Sequence, residues 1–110
     1  MHGRWHVHQQ NGYNPIFDVH VHGDHIHGTA SLDAAEGLRA GYAGAVTQAL
    51  EGHFHPHGEV HIRIVWPAKR DGSHAIGNYT GHFHQDHLHG TCFDELDPRH
   101  PGAEWHAERC

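Results

Sequence analysis

The 110-residue sequence has no apolar run close to the roughly 20 residues that a membrane-spanning helix needs, and its start, "MHGRWHVHQQ", is not the apolar core of a signal peptide. We therefore expect a soluble chain with no membrane partner: a cytosolic protein, or the mature or recombinant form of a secreted or periplasmic one. Basic residues are also scarce. Lysine and arginine total 7 against 13 acidic residues, so the chain lacks the fixed positive surface that phosphate backbones attract, and nucleic acid is not an expected partner. The two cysteines settle little: Cys92 lies in a strand-like run, and Cys110, the last residue, leaves pairing between chains open. The length suits one domain over residues 1–110 with one core, and excludes a helix-ringed α/β barrel.

What the chain has in excess is histidine, 18 residues of it. Because free imidazole titrates near neutrality, these residues make the charge strongly pH-dependent. The formal charge of −6 with neutral histidines becomes +12 with all 18 protonated.

The dominant period is two, apolar residues alternating with histidine, which reads as half-buried strands. Trp5 and Val7 alternate with His6 and His8, and Phe17, Val19 and Val21 with Asp18, His20 and His22. Val60, Ile62, Ile64 and Trp66 form the longest such stripe. In "VHVHGDHIHGT" the Gly23-Asp24 pair suits a two-residue hairpin turn, which would set His22 opposite His25, Val21 opposite Ile26 and His20 opposite His27. "GHFHQDHLHGT" repeats the device around Gln85-Asp86 and would set His84 opposite His87 and His82 opposite His89.

Residues 31–42 are ambiguous between helix and loop. Ser31, Asp33 and Glu36 could start a helix, but Gly37, Gly41 and Gly44 interrupt it. The sequence favours a loop that can include one helical turn, followed by a strand from about Gly41. Eight strands follow, at about 3–9, 15–22, 25–31, 41–50, 53–66, 74–84, 87–93 and 103–109. Short successive strands with local connections predict an all-β fold, an eight-stranded antiparallel up-and-down barrel that buries the apolar stripes and turns the histidines outward.

Imidazole is a common ligand for zinc, copper and nickel, and a site needs several nitrogens converging at about 2.0 to 2.1 Å from one ion. Same-face residues two apart on a strand lie roughly 6.5 to 7 Å apart, and opposite residues on paired strands roughly 4.5 to 5.5 Å. His20, His22, His25 and His27 therefore make a two-by-two grid, and His82, His84, His87 and His89 make a second. His6 and His8 extend a neighbouring strand, and His53, His55, His57 and His61 form a third, less regular cluster. Isolated histidines such as His2, His100 and His106 read as solvated surface residues. The expectation is a divalent transition metal, zinc, copper or nickel, held on the outer face and not essential for the fold. The grids also mark outer strand faces for a homo-oligomer promoted by metal and opposed by acid.

Catalysis is not expected. "FDVHVHG" resembles the D-x-H-x-H opening of metal-dependent amidohydrolases, which need a far larger barrel. His53, His55 and Glu59 resemble part of a cupin metal motif whose closing Gly is Trp66 here, and "HFH" resembles the strand histidines of α-type carbonic anhydrases, which require a longer chain.

Gly3-Arg4-Trp5 at the first strand and "VWPAKRDGSHAIGNYTGHF", with Trp66, His74, Tyr79 and Gly81 in order, resemble the avidin, streptavidin and lipocalin type of barrel. Trp105 resembles that family's late tryptophan. The resemblance implies the same strand count and order, and a small-ligand site in the barrel mouth lined by Trp66, Tyr79 and Trp105. The polar residues that bond biotin's head in that family are not matched: the corresponding positions hold Val7, Asn11, Ala30, Leu32, Ala75 and Gly77, and Cys92 stands where a neighbouring subunit's tryptophan would be matched. A site built to bond a polar head loses most of its affinity without those partners. The aromatics also have a plain role as filling for a small barrel.

Overall fold

A computed structural model of the chain describes all of residues 1–110. The eight strands are β1 (Gly3–Gln9), β2 (Ile16–His22), β3 (His25–Leu32), β4 (Val46–Phe54), β5 (Glu59–Val65), β6 (Ile76–His84), β7 (His87–Asp94) and β8 (Ala103–Arg109), with one short helix, α1 (Ala34–Arg39), between β3 and β4. Each strand pairs antiparallel with the next, and β8 pairs with β1, so the sheet closes into an up-and-down barrel. Closure leaves no free edge.

The alternation of apolar residues and histidine dictates which side faces inward. Trp5, Val7, Phe17, Val19, Ile26, Leu50, Ile62, Ile64, Leu88 and Trp105 are buried in one core, while the residues between them are mostly exposed. Both hairpins form in the register that the sequence predicts. His20 pairs with His27 and His22 with His25; His82 pairs with His89 and His84 with His87. The second turn holds both Gln85 and Asp86 at positive φ, 50° and 62°, as a two-residue I′ turn requires.

Up-and-down order gives the barrel two unlike ends. The tight turns after β2, β4 and β6 lie on one rim together with both chain ends. The longer connections after β1, β3, β5 and β7 lie on the other, and form its mouth. The tight rim is closed by packed aromatic side chains. Trp5 meets Phe83 edge-on with ring centroids 6.0 Å apart, Phe83 meets Phe54 at 6.2 Å, and the Arg109 guanidinium lies 4.5 Å over the Trp5 ring. The indole Nε1 of Trp5 donates to the Met1 carbonyl at 2.7 Å. At the mouth a cavity of about 430 Å³ opens into the barrel.

Two expectations about boundaries are corrected. The glycine-interrupted stretch forms a helix, because the Asp33 side chain caps it by accepting from Glu36 N at 2.8 Å and Glu36 pairs with Arg39 at 2.7 Å. Gly37, which argues against a helix from sequence, is required by packing: a Cβ there would lie 1.8 Å from the Gly44 carbonyl oxygen. Consequently β4 begins at Val46 rather than near residue 41, and it runs on to Phe54. The long strand expected over 53–66 is divided, since His55 to Gly58 form a turn in which Gly58 N donates to His55 O at 2.9 Å. Residues 53 and 54 thus belong to β4, and β5 starts at Glu59.

One polar network braces the outer face near the mouth. Arg63 donates from Nε and Nη2 to the two oxygens of Glu95 at 2.7 and 3.1 Å, Asn78 donates to Glu95 at 2.6 Å, and His61 Nε2 meets Asn78 Oδ1 at 3.2 Å. Hydrogen bonds from Arg63 and then Asn78 hold the Glu95 carboxyl down from the usual 4.5 to about 2. A depressed carboxyl contributes stability that is present above its ordinary pKa and is lost as pH falls towards its folded value. The melting temperature should therefore decline between pH 4.5 and 2 with a part that is absent in Glu95→Gln. Parallel declines in the two proteins would refute this role.

Candidate functional site

Every strand carries at least one outward histidine, and most of these fall in rows that run from strand to strand across the outer wall. On β2 and β3 the His27 ring is the hub. It stacks on His22 at 5.0 Å and on His20 at 5.4 Å, with His25 at 6.2 Å. His2 meets His20 edge-on at 4.8 Å. The row continues across β4 and β5, because His25 pairs with His53 and His53 with His61. His55 and His57 lie outside the row, exposed in the turn between β4 and β5.

Crowding has an electrostatic effect at the hub. Loss of hydration, followed by the charges of His22, His20, His25 and His2, lowers the pKa of His27 below the usual histidine range. The His27 ring therefore keeps its neutral form, with a free nitrogen lone pair, to lower pH than an isolated histidine does.

The second set of rows spans β6, β7, β8 and β1. His82 and His89 stack at 6.3 Å, His89 pairs with His106, and His106 pairs with His8. The His8 ring stacks on His106 at 5.0 Å and lies 4.5 Å from that of His6. His8, His89 and His106 border a shallow depression of about 550 Å³ over Gly90 on the outer wall.

Three donors converge here. One atom each of His8, His106 and Glu108 lie within 4.8 Å of one another, and His8 Nε2 is 3.1 Å from Glu108 Oε1. No other three histidine, cysteine or carboxylate donors in the chain come this close. The structure therefore assembles its tightest donor set where β8 meets β1 rather than within either hairpin grid. His8 belongs to the expected set; His106, which reads from sequence as an isolated surface residue, and Glu108 do not. The missing signal was the closure itself. Once β8 is laid beside β1, the alternation in "EWHAER" puts His106 and Glu108 on the outer face next to His8 and His6.

At the opposite end, Trp66 and Tyr79 border the mouth cavity, as do Tyr42, Leu32 and Lys69. Trp105 does not. It stands deeper in the barrel, edge-on to Tyr79 at 5.6 Å, with its Nε1 donating to Thr91 O at 3.1 Å. Tyr79 donates its hydroxyl to Gln9 Oε1, and burial raises its pKa above the usual tyrosine value. Both cysteines are free, Cys92 buried beside the cavity and Cys110 exposed.

No protein-family model matches the chain, and neither does any curated protein or solved structure.

Proposed function

We propose that the protein binds divalent transition-metal ions on its histidine collar. The observation that carries this reading is the convergence of His8, His106 and Glu108. Two imidazoles and a carboxylate are a ligand set that zinc accepts with a fourth position open, and imidazole also suits copper and nickel. The hairpin grids supply further, weaker positions, in which pairs of rings 5.0 to 6.3 Å apart can turn towards a shared ion. Because the donors lie on the outer wall, His8 half-buried and His106 and Glu108 exposed, the ions exchange with solvent and the barrel stands without them.

Titration calorimetry with Zn²⁺, Cu²⁺ and Ni²⁺ tests the reading. The tightest zinc event should weaken by about tenfold or more in His106→Thr, since even the loss of a group that only orients a ligand costs 10- to 100-fold. Replacing His20, His22, His25 and His27 by Thr should remove weaker events and leave this one. Unchanged uptake after replacement of His106 and both hairpin sets would overturn the proposal.

A second reading is favoured by the mouth cavity, whose volume of about 430 Å³ lies in the range of small-molecule sites. The closed eight-stranded order and the bordering Trp66 and Tyr79 are in keeping with the resemblance to avidin-type barrels. Leu32, Ala75 and Gly77 line the cavity where that family bonds a polar head, so the ligand would be an apolar or aromatic one rather than biotin. Such a ligand should quench tryptophan emission equally in the native chain and in the histidine variants above.

A further inference from the structure

We infer that an ion held by His8, His106 and Glu108 clips the seam at which the barrel closes, so that metal sets how readily the first and last strands part. The inference rests on the metal-binding reading and adds what binding does. Pairing of β1 with β8 is the step that turns an eight-stranded sheet into a barrel. His8 faces His106 in the register of that pair, and Glu108 follows two residues along β8 on the same outer face. The donors thus join the two ends of the chain: His8 and Glu108 are 100 residues apart in sequence.

An ion on a hairpin grid would do something different. His20, His22, His25 and His27 are already held together by a two-residue turn, so an ion there closes almost no chain. A seam ion closes nearly all of it, and the entropic worth of a closure grows with the length of the loop.

The local geometry is close to what an ion needs. Ligands at about 2.0 to 2.1 Å from zinc stand roughly 3.3 Å apart along the edges of a tetrahedron. The 3.1 Å between His8 Nε2 and Glu108 Oε1 is nearly such an edge. The other separations, all within 4.8 Å, close by side-chain rotation, for which there is room: the side chains of His8 and Glu108 are 34% and 62% exposed. His6, its ring 4.5 Å from that of His8, or water fills the fourth position. The nearest fixed cation on β8, Arg109, is turned away, bonded to Asp86 at 3.2 Å and stacked over Trp5.

Without an ion the seam rests on the ladder from Trp5 and Arg109 to Gln9 and Trp105, continued by Cys110 N donating to Arg4 O at 3.1 Å. A ligand that binds only the closed seam makes its opening rarer by the factor one plus the ratio of free ligand to Kd.

Amide hydrogen exchange on the full chain, with EDTA and with Zn²⁺ at about 100 times the calorimetric Kd, tests the clip. Amides of β1 and β8 that exchange through seam opening should slow about 100-fold, while those fraying at the turn between β2 and β3 keep their rates in the variant that lacks the hairpin histidines. The effect should persist in that variant, weaken in Glu108→Gln, and vanish in His8→Thr and His106→Thr, with circular dichroism confirming that each is folded. Zinc heat without slower seam exchange overturns the clip and leaves metal binding standing. So does slowing that survives His8→Thr and His106→Thr. Absence of any zinc heat overturns both.

Discussion

Replacing Gly52 by alanine is expected to cost about 3 to 5 kcal/mol, at the upper end of single-substitution effects. Gly52 sits on β4 opposite Ile62 of β5 and Ile26 of β3. A Cβ there would lie 1.8 Å from the His61 carbonyl oxygen and 3.0 Å from the Ile62 Cα. Both are backbone atoms, so no side chain can swing aside, and β4 must move away from β5 by more than an ångström. The ladder between these strands runs only from Glu51 and Arg63 to Phe54 and Val60, leaving little pairing to absorb the shift. With domain stabilities of about 5 to 15 kcal/mol, the variant stands near the limit of folding. Gly44→Ala is the control, because a Cβ there meets nothing within 4 Å, and it should change stability by no more than about 0.5 kcal/mol. Urea unfolding followed by circular dichroism measures both. A Gly52→Ala protein within about 1 kcal/mol of native would show that the strands yield easily.

Trp5→Ala is expected to cost a similar amount, about 3 to 5 kcal/mol, as for other buried aromatics cut to alanine. The Trp5 side chain is wholly buried. Its removal leaves the Phe83 edge and the Arg109 guanidinium without their partner, and the Met1 carbonyl without its donor. Phe83 packs on the Trp5 ring and Phe54 packs on Phe83, and being carried by two successive hairpins they cannot collapse into the space without moving two turns. The loss corresponds to a fall in melting temperature on the order of 20 °C for a chain of this size. Trp66→Ala should cost clearly less, since Trp66 already borders open space at the mouth. Equal losses at the two tryptophans would contradict the division into a closed and an open end.

Legibility in the sequence followed the range of the interactions. The two hairpins are readable because a two-residue turn fixes the partner of every flanking residue, and histidine against Val21 and Ile26 in one and Phe83 and Leu88 in the other marks the faces. The helix is not, because Gly37 is there for its contact with Gly44 seven residues later, a demand that local propensity does not express. The boundary between β4 and β5 is hidden for a related reason: His53, His55 and His57 keep the strand period through a turn, so the alternation continues where the strand does not. At the candidate site, His8 was visible by its spacing from His6. His106 and Glu108 were hidden, because what makes them neighbours of His8 is the closure of the whole sheet.

The closed rim has a consequence for how such a chain can change over generations. Aromatic packing at the closed rim centres on Trp5, Phe54 and Phe83, whereas at the mouth Trp66 and Tyr79 border open space, where a changed side chain displaces less packing. Lineages of this protein would be free to try new mouths while inheriting one foundation, and innovation at one end would not be purged for instability at the other.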